Sequence, residues 1–293
     1  MSLFPFFLLF SLSALLAPFL SRTASFAGVV DHPGGRRLHA APTPRVGGLT
    51  VFLPLLFALP LLTQGIPHLP LALGIGGICL LGALDDAFSL PALVKLVIQL
   101  AVLLLSTVLT WRGESALFLF FALLFLLSVT NGANFLDGAD ALLLGVSLPP
   151  LLALSVSREV GTLALALLAL LLGFLPYNRP RAVLFLGDAG STTLGFTMGY
   201  LSLLTVFPLD APSRFAPFTE DPLPYLRVVV LFGVFFLDLL ATSLTRVASG
   251  TSPFRPDRTH VHHRLQRAIG ERRTRTLLVT LASILALLFH LSA

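Results

Sequence analysis

Long apolar runs broken by short polar stretches set the pattern of this chain. Reading breakers and charges as boundaries gives ten runs, at about 2–21, 46–64, 67–84, 92–111, 115–131, 140–156, 160–177, 191–208, 225–245 and 275–292. Each approaches the roughly 20 residues a helix needs to cross the hydrocarbon of a bilayer. The sixth is interrupted by Pro149 and Pro150, and adjacent prolines remove hydrogen bonds from a helical ladder. The ninth contains Asp238. An Asp near a helix centre costs about 2.5 to 3.5 kcal/mol, whereas each Leu, Val or Phe returns about 0.3 to 0.6 kcal/mol, so the apolar stretch from Val228 to Leu240 still favours insertion. The pattern predicts an all-α polytopic integral membrane protein with about ten transmembrane helices, forming one domain over residues 1–293.

Composition strengthens that reading. With 56% hydrophobic and 11% charged residues, the chain has too little polar surface to cover a soluble globule. A single cysteine, Cys79, rules out a disulfide framework or a thiolate metal cluster. The first run has no Lys or Arg ahead of it, and its first cation, Arg22, follows it; it reads as an uncleaved span with the N-terminus outside. Of the 19 Lys and Arg residues, fifteen lie in loops after odd-numbered runs, and only Arg112, Arg158, Arg214 and Arg227 lie in the others. The odd loops are therefore expected in the cytoplasm. The net charge of +5 reports topology and anionic headgroups or substrates; no basic patch interleaved with aromatics argues for nucleic acid.

The polar chemistry falls in those same odd loops. The first carries Arg36, Arg37 and Arg45 among prolines and glycines, a set that suits a phosphate-binding lip or a positive-inside anchor. The second holds the adjacent carboxylates Asp85 and Asp86, then Lys95, the chain's only lysine. Two like charges at the edge of a hydrocarbon phase need a cation, a basic group or a proton beside them. Lys95 offers a mobile ammonium for a phosphate, or simply snorkels from its span. The third loop reads Asn131-Gly132-Ala133-Asn134-Phe135-Leu136-Asp137-Gly138-Ala139-Asp140. Its amides suit base edges and its carboxylates metal or hydroxyl contacts, with helix capping as the plainer alternative. The fourth runs from Asn178 through Phe185 to Gly187-Asp188-Ala189-Gly190-Ser191, where Ser191 is expected to cap a helix whose N-terminus faces an anion and Asp188 to bring a divalent cation, or to cap. The fifth ends in His260-Val261-His262-His263, flanked by Arg255, Arg258 and Arg264. Zinc, hydrogen bonding to a sugar phosphate, and a solvated basic tail are its three readings. All five constellations on one face describe a site joining a soluble nucleotide-linked substrate to a lipid phosphate.

The set Asp31-x-Pro, Pro44-Arg45-x-Gly47-Gly48, Leu84-Asp85-Asp86 with Lys95, Asn131-x-x-Asn134-x-x-Asp137-Gly138-x-Asp140, Gly187-Asp188-x-Gly190-Ser191 and Ser252-Pro253-Phe254 with His260-x-His262-His263-x-Leu265 resembles the polyprenyl-phosphate N-acetylhexosamine-1-phosphate transferases, glycosyltransferase family 4. The histidine motif and the Asp238 to Arg246 spacing are closer to the undecaprenyl-phosphate GlcNAc-1-phosphate transferases than to the muramoyl-pentapeptide enzymes. Ala141 departs from the glycine usual in the family after the second Asp.

The resemblance implies transfer of GlcNAc-1-phosphate from UDP-GlcNAc, or another UDP-N-acetylhexosamine, to undecaprenyl or polyprenyl phosphate, releasing UMP and opening cell-envelope glycan synthesis. It implies Mg²⁺, with Mn²⁺ as a substitute, a site on the cytoplasmic face of the inner membrane, and it allows a homodimer. Carried over by similarity, Asp188 and Asp86 bind metal; Asp85, Asp86, Asp140 and His263 are catalytic; Arg45, Lys95, Asn134, Asp137, Phe185, Arg258, His260 and His262 bind substrate. Two other classes compete. Asp137-Gly138-Ala139-Asp140-Ala141 resembles the opening of the CDP-alcohol phosphatidyltransferase motif but lacks its following arginine, and an ion-coupled transporter would need ionisable groups deep in the bilayer, where only Asp238 qualifies.

Overall fold

A computed structural model describes residues 3–26, 30–31, 42–63, 68–209, 220–250 and 260–292. Among them are twelve helices and one two-stranded antiparallel pairing: α1 (Phe4–Phe26), β1 (Val30–Asp31), β2 (Thr43–Pro44), α2 (Gly47–Leu62), α3 (His68–Phe88), α4 (Ala92–Thr110), α5 (Ala116–Leu136), α6 (Leu142–Ser155), α7 (Gly161–Asn178), α8 (Gly187–Val206), α9 (Leu223–Leu231), α10 (Gly233–Ala248), α11 (Val261–Ile269) and α12 (Glu271–Leu291). The protein is all-α and multi-pass. Each of the ten apolar runs falls on a helix, the ninth on the pair α9 and α10, which bends by 80°. By length and apolarity six helices qualify as membrane spans (α1, α3, α4, α5, α7 and α12), or seven with the bent pair taken as one. The sequence count is higher because α2 and α6 have 16 and 14 residues, and because α8 is too polar to face lipid.

That polarity explains where α8 sits. Nearly all its residues are buried, and it packs against α2, α3, α5, α6 and α9. Its threonine hydroxyls are absorbed locally, Thr193 donating to the Ala189 carbonyl at 2.6 Å and Thr197 to the Thr193 carbonyl at 2.7 Å. Small residues let neighbours approach the backbone closely: a Cβ on Gly82 of α3 would stand 2.5 Å from Ala189, and one on Gly195 2.6 Å from the Val129 carbonyl of α5. Twenty residues at 1.5 Å each make α8 roughly 30 Å long, the thickness of a bilayer core. Around it, α1 packs on α7 and α2, α4 on α3 and α5, and α12 on α6 and α9.

The two ends of this bundle differ. At the C-terminal ends of α4 and α8, Trp111, Phe118, Phe207 and Tyr225 stack edge-on and tilted at centroid distances of 5.0–5.9 Å, and the Trp111 indole donates to the Phe207 carbonyl. At the opposite end, where α8 and α4 begin and α3 and α5 finish, lie the carboxylates. Pro149 and Pro150 stay inside α6, whose flanks are buried.

Candidate active site

α3 continues past the expected boundary to Phe88, which puts Asp85 and Asp86 on its final turn. The Leu90 N–H donates to Asp85 Oδ1 at 2.8 Å, and Lys95, on the first turn of α4, reaches Asp85 Oδ2 at 2.8 Å. The same ammonium contacts Asp188 Oδ2, which also accepts from the Asn134 amide at 2.9 Å. Lys95 thus supplies the compensating cation that paired carboxylates require, instead of snorkelling away from them. Asp86 is nearly buried; its Oδ2 accepts the Ala189 N–H at 3.1 Å, and Arg45 lies 3.9 Å from its Oδ1.

The segment carrying Arg45 is held by backbone pairing. Phe185 donates to the Pro44 carbonyl at 2.9 Å, while Gly47 and Gly48 donate to the carbonyls of Phe185 and Leu186 at 2.9 and 2.8 Å. Phe185 is half-buried in this zipper. Gly187, at φ +73°, turns the chain from it into α8 and so delivers Asp188 beside Lys95. Ser191 is not the cap expected of it: α8 starts at Gly187, and the Ser191 hydroxyl is buried within the helix. Asn131 and Asn134 likewise belong to the last two turns of α5, with Asp137 as the C-cap residue. Asn131 donates to Gln99 of α4 at 3.1 Å. Protein packed around Asp137 withdraws water from its carboxyl and raises its pKa well above the usual carboxylate value, and the charges of Asp188 and Asp86 push the same way. Asp140, whose charge also reaches Asp137, is held by a different segment. Its Oδ2 accepts the N–H groups of Arg181 and Ala182 at 2.9 and 3.1 Å, stapling the loop before α8.

The histidine motif meets the end of α5. A Cβ on Gly138 would stand 3.0 Å from His262 Nε2 and 3.3 Å from His263 Nε2, and Phe135 meets His260 edge-on at 4.6 Å. His263 pairs with Gln266 at 3.2 Å; its partial burial, followed by the neighbouring His262, pulls its pKa down to about 4. Arg36, Arg37, Arg255 and Arg258 lie outside the described residues. Most of the other predicted site residues come together at one end of the bundle, in two linked groups: Arg45, Asp85, Asp86, Lys95, Asn134 and Asp188 around the start of α8, and the histidines beside Asp137 and Gly138; Phe185 and Asp140 instead hold the segment leading into α8. Sequence reasoning did not single out Thr242, Phe135 or Gln99 as partners in this site, nor Arg246 beyond its spacing from Asp238. One legible signal was the spacing of Asp238, Thr242 and Arg246 at four-residue intervals in an apolar run, a polar stripe on one helical face.

Comparison with known proteins bears on this arrangement. The sequence profile described as "Glycosyl transferase family 4" matches residues 68–206, which run from the start of α3 to the end of α8. The chain is 32% identical to the decaprenyl-phosphate N-acetylglucosaminephosphotransferase of Mycobacterium tuberculosis, over 87% of its own length and 73% of the relative's. It is 30% identical to the undecaprenyl-phosphate alpha-N-acetylglucosaminyl 1-phosphate transferase of Escherichia coli, over 94% and 80%. A probable undecaprenyl-phosphate N-acetylglucosaminyl 1-phosphate transferase of Bacillus subtilis is 31% identical over 86% and 73%.

The chain belongs to glycosyl transferase family 4. The CDP-alcohol and transporter readings give way to that membership. Asp238, on which the transporter reading turned, is bonded to the histidine motif. The family profile covers the carboxylates, Lys95, Asn134 and Asp188 but ends before Asp238 and the histidines.

Proposed function

We propose that this family member is a polyprenyl-phosphate GlcNAc-1-phosphate transferase, using UDP-GlcNAc as donor and releasing UMP, with its site on the cytoplasmic side of a bacterial inner membrane. One observation carries the reading: Lys95 and Asn134 converge on Asp188 from two helices while Asp85, Asp86 and Arg45 crowd the same helix start. That gathering of anions and cations suits a reaction in which two phosphates must be brought together. The names of the relatives support the acceptor and the transferred group.

In this reading an oxygen of the lipid phosphate attacks the sugar-bearing phosphorus of the donor, and the bond from that phosphorus to the bridging oxygen breaks, leaving UMP. The second pKa of a phosphate monoester is about 6, so the acceptor is already largely dianionic at neutral pH. Asp85, clamped by Lys95 and the Leu90 N–H, therefore orients the acceptor more than it removes a proton. Arg45 and Lys95 bind phosphate oxygens and offset repulsion between the two substrates. Asn134 and Asp137 face the nucleoside; Asp137, held toward its neutral form, donates as well as accepts. His263, whose pKa is near 4, meets the diphosphate or sugar as a neutral hydrogen-bonding group.

The residues also fit a hard divalent cation. Carboxylates prevail around the start of α8, and Asp86 Oδ1 is buried with no hydrogen-bond donor among the described residues. Asp188 and Asp86 would hold Mg²⁺, with Mn²⁺ as a substitute, and the ion supplies charge neutralisation for the diphosphate.

The test is direct. Purified protein is incubated with Mg²⁺, undecaprenyl phosphate and a panel of UDP-N-acetylhexosamines, and the lipid product is identified by mass. GlcNAc-diphosphate lipid plus stoichiometric UMP is expected, with Asp188→Ala losing at least about 10²-fold in turnover. Near-normal turnover of that variant removes Asp188 from its role, and no product from any donor removes the reading.

A further inference from the structure

Asp238, Thr242 and Arg246 present one buried polar face of α10 to the histidine motif. Asp238 Oδ2 lies 2.9 Å from His260 Nδ1, and its Oδ1 lies 3.1 Å from both the backbone N–H and Nδ1 of His262. A carboxylate flanked this way is an acceptor, so both Nδ1 atoms carry the hydrogen. Arg246 gives the same answer independently. A guanidinium only donates, and its Nη2 is 3.3 Å from His260 Nε2, so that nitrogen must accept. The Thr242 hydroxyl, 3.3 Å from His260 Nδ1, offers a further acceptor. His262 Nε2 is buried, has no hydrogen-bond partner among the described residues, and faces the backbone of Gly138.

Asp238, His260 and His262 also offer ligand atoms within 4.8 Å of one another, a spacing compatible with a metal ion. The hydrogen-bonded reading is stronger. Each Nδ1 is already engaged by a carboxylate oxygen, and the cationic Arg246 on the far side of His260 opposes a second positive charge.

We infer that Asp238 is a positioning residue: its carboxylate holds His260 and His262 as Nδ1–H tautomers and turns the Nε2 acceptor of His262 toward the Gly138 loop, where an O–H or N–H of the sugar-bearing substrate is its partner. The identity of that partner rests on the transferase reading above; the tautomers do not.

The experiment uses the full chain, labelled with ¹⁵N-histidine and held in detergent micelles. Ring ¹⁵N shifts report the tautomers, assigned with His260→Gln and His262→Gln, and kcat and KM for UDP-GlcNAc are measured in parallel. In Asp238→Asn the His262 backbone N–H remains a donor and retains the amide oxygen. The amide NH₂ therefore faces His260, whose hydrogen must move to Nε2, against Arg246. The expected result is Nδ1–H on both rings in the wild type, an Nε2–H form at His260 in Asp238→Asn, and a fall in kcat of at least about tenfold with a smaller change in KM. Asp238→Glu is expected to restore the Nδ1–H form and part of kcat. An Nε2–H wild type, unchanged tautomers in Asp238→Asn, or a shifted tautomer with undiminished kcat overturns the inference. Should Asp238→Asn not fold, Arg246→Met keeps the carboxylate and must leave His260 as Nδ1–H; a change there overturns it equally. A wild type that turns over no donor fails the transferase reading alone, because the ring shifts still decide what Asp238 does.

Discussion

At the scale of single residues, burial sets what the histidine motif can do. His263 is expected to be neutral at physiological pH, because its pKa falls from the ordinary 6.5 to about 4 in the folded protein. Between those values the unfolded chain binds the extra proton and the native state does not, so stability falls as pH drops from 6.5 toward 4 and is unaffected by this residue above 6.5. Thermal unfolding in detergent from pH 7.5 to 5 should show that acid limb, and His263→Gln should make it shallower. An unchanged limb in the variant would mean that other groups carry it. The motif was legible in the chain as three histidines within four residues. Its environment was not, because Asp238 is more than twenty positions away and only packing puts its two oxygens against two rings.

At the scale of elements, Ala141 shows how a local departure acquires a cause. It is the N-cap residue of α6, at φ +54° and ψ 9°, and its N–H is accepted by Asn178 Oδ1 at 3.2 Å. An L-residue in that left-handed region bears about 1 to 2 kcal/mol of strain. Glycine relieves it while adding about 0.4 to 1 kcal/mol of unfolded-state entropy. Ala141→Gly is thus expected to leave stability unchanged or to raise it by up to about 1.5 kcal/mol, opposite in sign to the usual helix-interior result. Chemical denaturation in micelles checks this; a clear loss would mean that the methyl group packs usefully. The sequence could flag the missing glycine, whereas the sign of φ needed coordinates. Boundaries were soft for a related reason. Asn131, Asn134, Asp85 and Asp86 look like loop residues by polarity, yet they occupy final helical turns because tertiary partners satisfy them there.

At the scale of the whole molecule, the geometry of the candidate site depends on how closely the surrounding helices approach α8. Gly82 of α3 leaves no room for a methyl group, its Cβ position lying 2.5 Å from the backbone of Ala189, the residue whose N–H holds Asp86. Gly82→Ala is expected to destabilise the protein by about 1 to 3 kcal/mol and to lower turnover with it. Gly76→Ala, on the same helix with nothing within 4 Å of its Cβ position, is expected to be neutral or mildly stabilising with full activity. Equal behaviour of the two variants, in melting and in UMP release, would refute the idea that this contact sets the site.

Apolar runs, breakers and the crowding of polar residues into alternate loops are properties of consecutive residues. They determined the helical, membrane-embedded class, the approximate position of each helix and the candidate chemistry. What tertiary structure alone decided is which helix is wrapped by the others and which polar groups meet. α8 reads from the sequence as one span among ten but serves as the central helix, because its small residues admit neighbours that lipid could not replace. Lys95 and Asp188 stand 93 positions apart, and no local rule links them; they meet because α4 and α8 begin at the same end of the bundle, where one ammonium relieves the repulsion of carboxylates brought from separate helices.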